Sequence, residues 1–191
     1  MKPGVLALQG AFREHREVLD ALGVESNEVR TPEELGSVDA LILPGGESTT
    51  VGKLLVSSGL LGPLRERLRD GMPVLGTCAG LILLARHVLD GRDDQVSLDA
   101  LDATVRRNAY GTQVQSFEAS LDIADLGGGP FPGVFIRAPV VEDVGAHVTV
   151  LAEHEGHPVL VREGRVWAST FHPELSGDLR VHERFMSEVM P

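Results

Sequence analysis

The chain holds a single cysteine, Cys78, in 191 residues. One thiol excludes an internal disulfide framework and a thiolate-rich zinc site, and it suits a reducing compartment, with cytoplasm the expectation. Positive charge is scarce too. Against 28 Asp and Glu there are 17 Lys and Arg, a formal charge of −11, which repels phosphate backbones and anionic surfaces and argues against nucleic-acid and membrane partners. Long apolar runs are missing: nothing approaches a membrane span. In MKPGVLALQGAFREH the apolar run gives way to Arg, Glu and His before it reaches the length of a signal-peptide core. What remains, with 42% hydrophobic residues, is the composition of a soluble chain whose length fits one domain over residues 1–191.

Strand-length apolar runs alternate with helical patterns: GVLALQ before AFREHREVLDALG, DALILPGG before STTVGKLLVSSG, MPVLGTC before AGLILLARHVLDG. That alternation predicts a parallel sheet covered by helices on both faces, with Gly23, Gly59 and Gly91 where helices end and functional residues at strand C-termini. Beyond Gly91 the segments TVRRNAYG, QSFEASLDI, GVFIRAP, VTVLAEHEG, HPVLVREG and RVWASTFHP read as strand-rich and partly antiparallel. A last helix, from about Asp178 to Met190, keeps Leu179, Phe185, Met186 and Val189 on one face.

The stretch GTCAG, with a strand before it and a helix after it, has the form of a nucleophile elbow, whose glycines permit a sharp turn. Cys78 would stand at a helix N-terminus, where the dipole favours thiolate and the Ala79 N–H can donate to an oxyanion. Taken alone, the pentapeptide leaves core filling open, because free cysteine is among the most buried residue types. A base is offered by WASTFHPEL. Proline biases His172 toward extended geometry, so Glu174, two positions on, lies on the side of the imidazole and can orient it. An isolated His-Pro-Glu reads equally as a turn with a capping acid; with Cys78 it supplies thiol, imidazole and carboxylate in the roles of an acyl-transfer triad. His154 and His157 read as a solvated hairpin tip and not a metal pair. His15, His87, His147 and His182 have no companion motif.

In LILPGGEST a strand meets a helix start, so the turn at Gly45 and Gly46 can present backbone N–H groups to an anion or carbonyl oxygen. A phosphate loop is excluded by count: five residues separate Gly46 from Gly52-Lys53, and Leu54 stands where Ser or Thr is required. Glu47 beside such a nest suits a zwitterion with an ammonium group. Arg107 in RRNAYG and Arg137 in FIRAP occupy turn-like positions, where a forked guanidinium holds a substrate carboxylate or a surface ion pair.

The ordered set LQGAFREH, LPGGEST, GTCAG, RRNAYG, SFEA, VFIRAP and FHPEL resembles the glutaminase subunits of pyridoxal 5′-phosphate synthases, which are triad-type (class I) glutamine amidotransferases. The resemblance spans nearly the whole chain. It implies a flavodoxin-like three-layer α/β/α sandwich with a mixed, mostly parallel central sheet. It also implies hydrolysis of L-glutamine to glutamate and ammonia, the ammonia passing to a barrel-type synthase in a large hetero-oligomer. That synthase would combine it with ribose 5-phosphate and glyceraldehyde 3-phosphate. Carried over, Cys78 is the nucleophile, His172 the acid/base and Glu174 its orienting partner. The oxyanion hole is Gly46 and Ala79. Gly46, Glu47, Ser48, Arg107, Ile136 and Arg137 contact glutamine, and Gln9 and Gly10 lie near the oxyanion loop and the synthase interface. No metal and no organic cofactor are implied. The RNAYG and FIRAP segments argue against the glutaminase of another amidotransferase, and the intact Cys78 and His172 against a noncatalytic regulator on the same fold. A cysteine peptidase would be separated by its substrate. The LGGGPFPG connection is read as surface variation.

Overall fold

The computed structural model describes residues 2–92, 94–107, 116–124 and 126–189. Its centre is a seven-stranded sheet. Five strands are mutually parallel: β1 (Pro3–Leu6), β2 (Asn27–Val29), β3 (Ala40–Leu43), β4 (Val74–Thr77) and β12 (Val166–Ser169). An antiparallel pair, β10 (Thr149–His154) and β11 (His157–Glu163), closes one edge, giving the order β10-β11-β12-β4-β3-β1-β2.

Strands β1, β3 and β4 are buried at every position, and the two-residue period of a strand divides them between two cores. Leu6, Leu41, Leu43 and Val74 face one core. It is filled from α2 (Pro32–Gly36), α3 (Ser48–Ser57), α4 (Leu61–Arg69) and α5 (Ala79–Leu84) by Leu35, Leu55, Leu64 and Leu81. Val5, Ala40, Ile42 and Leu75 face the other, against Leu19 of α1 (Phe12–Ala21) and Val181, Phe185 and Val189 of α6 (Arg180–Val189). Helices thus cover both faces, the three-layer arrangement expected. Each fully buried Leu or Phe contributes about 1.5–3 kcal/mol. No helix among the described residues is long and apolar enough to cross a membrane.

Two smaller sheets flank this core. One joins β5 (Ala85–Val88), β6 (Leu101–Arg106) and β9 (Val140–Val144); the other pairs β7 (Ser116–Leu121) with β8 (Phe131–Ile136). The first carries a correction. The helix expected over AGLILLARHVLDG ends at Leu84, Ala85 turns extended (φ −61°, ψ 141°), and ARHV becomes a strand parallel to β6. All six residues of α5 are buried, so no polar stripe marks where the helical period stops. Arg86 then leaves the core for Asp99 and Asp102, at 3.0 and 2.6 Å. Gly91 therefore ends no helix, whereas Gly23 and Gly59, both at positive φ, follow α1 and α3 as expected. The last helix begins at Arg180, and Met190 lies outside the described residues. The His154–His157 segment is a tight hairpin turning through Glu155 and Gly156, both at positive φ. Short α2 went unpredicted, although Thr31 and Glu34 form a capping box at its start.

Candidate active site

Neighbouring strands lie about 4.8 Å apart, so the adjacent C-termini of β12, β4, β3 and β1 gather four loops into one region. They carry His172, Cys78, the Gly45–Glu47 turn and the Gln9–Ala11 segment. A cleft of about 480 Å³ opens between them, a size suited to a small ligand.

Cys78 caps α5 with φ 49° and ψ −99°. A non-glycine residue at positive φ costs on the order of 1–3 kcal/mol and persists only where surrounding structure holds it. Here the holding is visible: the Cys78 N–H donates to Ser169 O at 2.8 Å. Gly80 brings α5 so close to β3 that a Cβ there would fall 2.1 Å from Leu43 O. This is the elbow the sequence predicts, with its thiol on the cleft wall.

His172 follows β12, and its N–H donates to Val134 O at 2.8 Å. A 3-10 turn over Pro173–Leu175 brings Glu174 back beneath the ring, with His172 Nδ1 2.6 Å from Glu174 Oε1. The Cys78 side chain and the Gly45 backbone also lie beside the ring. Burial alone would lower the His172 pKa. Hydrogen bonds to Cys78 and Glu174, with the negative charge of both, outweigh it and raise the pKa to about 10. Burial pushes the Glu174 carboxyl upward, but the two imidazoles of His15 and His172 bring it below the ordinary glutamate value. The result is Cys78, an imidazolium and a buried carboxylate side by side, the last two joined by a 2.6 Å hydrogen bond.

The glycine turn is tied to β4 and to the segment after β1. Gly45 N–H donates to Thr77 Oγ1 at 3.0 Å, Ala11 N–H to Gly45 O at 3.0 Å, and Glu47 N–H to the Gln9 side-chain oxygen at 2.9 Å. The expected substrate-contacting residues Gly46, Glu47, Ser48, Arg107, Ile136 and Arg137 all line the cleft, as do Gln9 and Gly10. Ala79 begins α5 directly after Cys78, and Glu174 stands behind His172. The Ile136 carbonyl accepts from Cys78 Sγ at 3.9 Å, and Arg137 turns through a positive φ of 44°. Glu47, read from the sequence as an acid beside the nest, lines the cleft and has a second role as well. Its carboxylate caps α3, accepting from Thr49 and Thr50 N–H at 3.2 and 2.7 Å, and pairs with Arg107 at 3.2 Å. The Asn108–Gly111 part of RRNAYG lies outside the described residues.

Sequence reasoning missed two residues, His15 and His182. Both are wholly buried, and His15 Nε2 lies 3.5 Å from Glu174 Oε2. The signal was present. His15, Val18 and Leu19 share the buried face of α1, and His182, Phe185, Met186 and Val189 that of α6. An imidazole at a core position of an amphipathic helix needs a buried partner.

Residues 5–191 match the SNO glutamine amidotransferase family. A Mycobacteroides abscessus protein named pyridoxal 5′-phosphate synthase subunit PdxT is 58% identical, covering 97% of this chain and 96% of its own length. The protein of the same name from Streptomyces avermitilis is 56% identical, with 97% and 92% covered. A crystal structure of a glutamine amidotransferase superposes with a TM-score of 0.92 at 50% identity, covering 98% of both chains. With the family match running through the elbow, the glycine turn and the His172–Glu174 pair alike, the chain belongs to the SNO glutamine amidotransferase family.

Proposed function

We propose that this chain is the glutaminase subunit of a pyridoxal 5′-phosphate synthase, releasing ammonia from L-glutamine at Cys78. The observation that carries the reading is that Cys78 and a His172 ring hydrogen-bonded to Glu174 stand together at the wall of a ligand-sized cleft. Full-length similarity to proteins named pyridoxal 5′-phosphate synthase subunit PdxT supports the pathway.

The chemistry follows from the parts. Cys78 thiolate attacks the side-chain amide carbon of glutamine, and the tetrahedral oxyanion is held by the Gly46 and Ala79 N–H groups. His172 imidazolium protonates the nitrogen as the C–N bond breaks, so ammonia leaves and a γ-glutamyl thioester remains. Neutral His172 then takes a proton from water, which attacks the thioester and returns glutamate and the thiolate. Glu174 keeps the ring oriented through both steps. Glu47, Ser48, Arg107, Ile136 and Arg137 hold the amino-acid end, with Glu47 also fixing the turn and Arg107 beside it. This sequence calls on no metal and no organic cofactor. The ammonia passes to a barrel-type synthase that carries out the chemistry on ribose 5-phosphate and glyceraldehyde 3-phosphate. The chain acts as one domain over residues 1–191, in the cytoplasm.

The test uses the cognate synthase with both sugar phosphates. Wild type makes pyridoxal phosphate from glutamine or from ammonium salt, while Cys78→Ala makes it only from ammonium. Product from glutamine with the alanine variant would remove Cys78 as nucleophile. Product from ammonium alone with wild type would remove the vitamin B6 assignment.

A further inference from the structure

Glu174 has two carboxylate oxygens, and the triad uses one. Oε1 holds His172, while Oε2 has His15 Nε2 at 3.5 Å and no closer hydrogen-bond partner among the described residues. His15 Nε2 is also 3.2 Å from Thr77 Oγ1, and its Nδ1 is 2.8 Å from His182 Nε2. Placing two imidazoles in a core costs stability unless their polar atoms are matched, and the mechanism above uses neither ring.

We propose that His15 is a positioning residue: a neutral imidazole whose Nε2–H faces Glu174 Oε2, holds the carboxylate against His172, and is itself set in place by His182 and Thr77. This rests on the reading of Cys78, His172 and Glu174 as the triad. The tautomer follows from charge. Were Nε2 unprotonated, its lone pair would face a carboxylate; with the proton on Nε2, that N–H lies between Thr77 Oγ1 at 3.2 Å and Glu174 Oε2 at 3.5 Å, Nδ1 accepts from His182 Nε2–H, and His182 Nδ1 is left as an unpartnered lone pair among the described residues. The groups facing His15 are Glu174 from the 3-10 turn, His172 beyond it, His182 from α6, and Glu14 on its own helix. Burial outweighs the attraction of the two carboxylates and lowers the His15 pKa, and burial together with His15 takes His182 down to about 3. Both rings are therefore neutral near pH 7. Thr77 extends the link, because the hydroxyl beside His15 also accepts the Gly45 N–H at 3.0 Å. One buried ring thus touches the support of the carboxylate and the support of the oxyanion turn.

The experiment measures glutamine hydrolysis by the full chain with saturating cognate synthase. In His15→Gln the longer amide reaches the place of Nε2; in His15→Asn it reaches only that of Nδ1. His15→Asn should lower kcat about 10- to 100-fold, the usual loss when an outer hydrogen-bond partner is removed, with KM little changed. His15→Gln should recover most of it. The alkaline limb of kcat/KM should move to lower pH in His15→Asn, because a less well-held Glu174 supports the imidazolium less. Introduced into Glu174→Gln, the same change should cost less than about 2-fold more, as expected of residues acting through one another. Equal losses in the Asn and Gln variants, or the full loss on top of Glu174→Gln, would overturn the proposal. If His15→Asn does not fold, His182→Leu, which removes the group fixing the tautomer, carries the test: an unmoved alkaline limb overturns it. Glutamine hydrolysis surviving in Cys78→Ala would sink the triad reading and this inference together; its loss there beside full activity in His15→Asn would sink this inference alone.

Discussion

Gly45→Ala adds one methyl group to the wall of the site, and the structure says where it lands. An ideal Cβ at Gly45 would lie 2.3 Å from His172 Cε1, 2.9 Å from Nδ1 and 3.4 Å from Cys78 Cβ. Gly45 is not among the glycines at positive φ, so alanine meets no left-handed backbone strain there and the clash is one of space. Carbon atoms rest at about 3.5–4.0 Å, so ring and methyl must separate by more than about 1 Å. His172 cannot yield that much and keep both its 2.6 Å contact with Glu174 and its contact with Cys78. A misplacement of this size costs about 100-fold in rate, or about 2.7 kcal/mol of barrier. Overpacking should also cost about 1–3 kcal/mol of stability. The assay is ammonia release with saturating synthase, beside the rate at which a glutamine-mimicking electrophile labels Cys78. Gly36→Ala, whose Cβ meets nothing within 4 Å, should behave as wild type. A Gly45→Ala enzyme within about 3-fold of wild type, equally stable and equally labelled, would refute the placement of His172 over Gly45.

With the His172 pKa at about 10, kcat/KM for glutamine should fall only as the pH rises through that value and the general acid is lost; Glu174→Gln removes two of the causes that raise it, so the limb should move to lower pH, and an unmoved limb would contradict the assigned pairing. His182 gives an acid-side stability test. Its pKa is lowered from 6.5 to about 3 in the folded chain, so between those values the unfolded chain binds the extra proton and stability falls as the pH drops, by up to about 1.4 kcal/mol per pH unit for one group. Denaturant titrations across that window should show less pH dependence in His182→Gln than in wild type. Arg107→Gln should raise KM more than it lowers kcat, because the guanidinium is assigned to substrate holding; a fall in kcat alone would reassign it to the turn it shares with Glu47.

The central layer was legible because parallel strands covered on both faces are apolar at every position, and GVLAL, DALIL and MPVLG carry that pattern plainly. The elbow and the FHPE turn were legible for a different reason: local backbone chemistry, glycine beside the nucleophile and proline after the histidine, sets them without long-range help. What failed was the boundary inside AGLILLARHV, where apolar residues on every side of a short helix erase the period that would locate its end. The capping role of Glu47 was missed for another reason. Position 47 is the N-cap of α3, where the N–H groups of Thr49 and Thr50 bind the carboxylate, and the sequence reading rests only on its charge beside the glycine turn. His15 and His182 lie 167 positions apart, and no local pattern pairs residues at that separation.

That distant pair bears on why, of three neighbouring imidazoles, one carries a charge. Glu174 faces His172 on one oxygen and His15 on the other, and a single carboxylate cannot stabilise two adjacent imidazoliums against their own repulsion in a buried setting. The contest is decided by what else each ring touches. His172 has on its far side Cys78, which also favours the charged ring, and keeps its proton. His15 has on its far side another imidazole, His182, and stays neutral. Exchange either far-side neighbour and the proton inventory changes: without Cys78, His172 loses one of its two supports, and with an acid in place of His182, His15 would compete with His172 for Glu174. The buried histidine pair therefore confines the positive charge to the one ring that opens on the cleft.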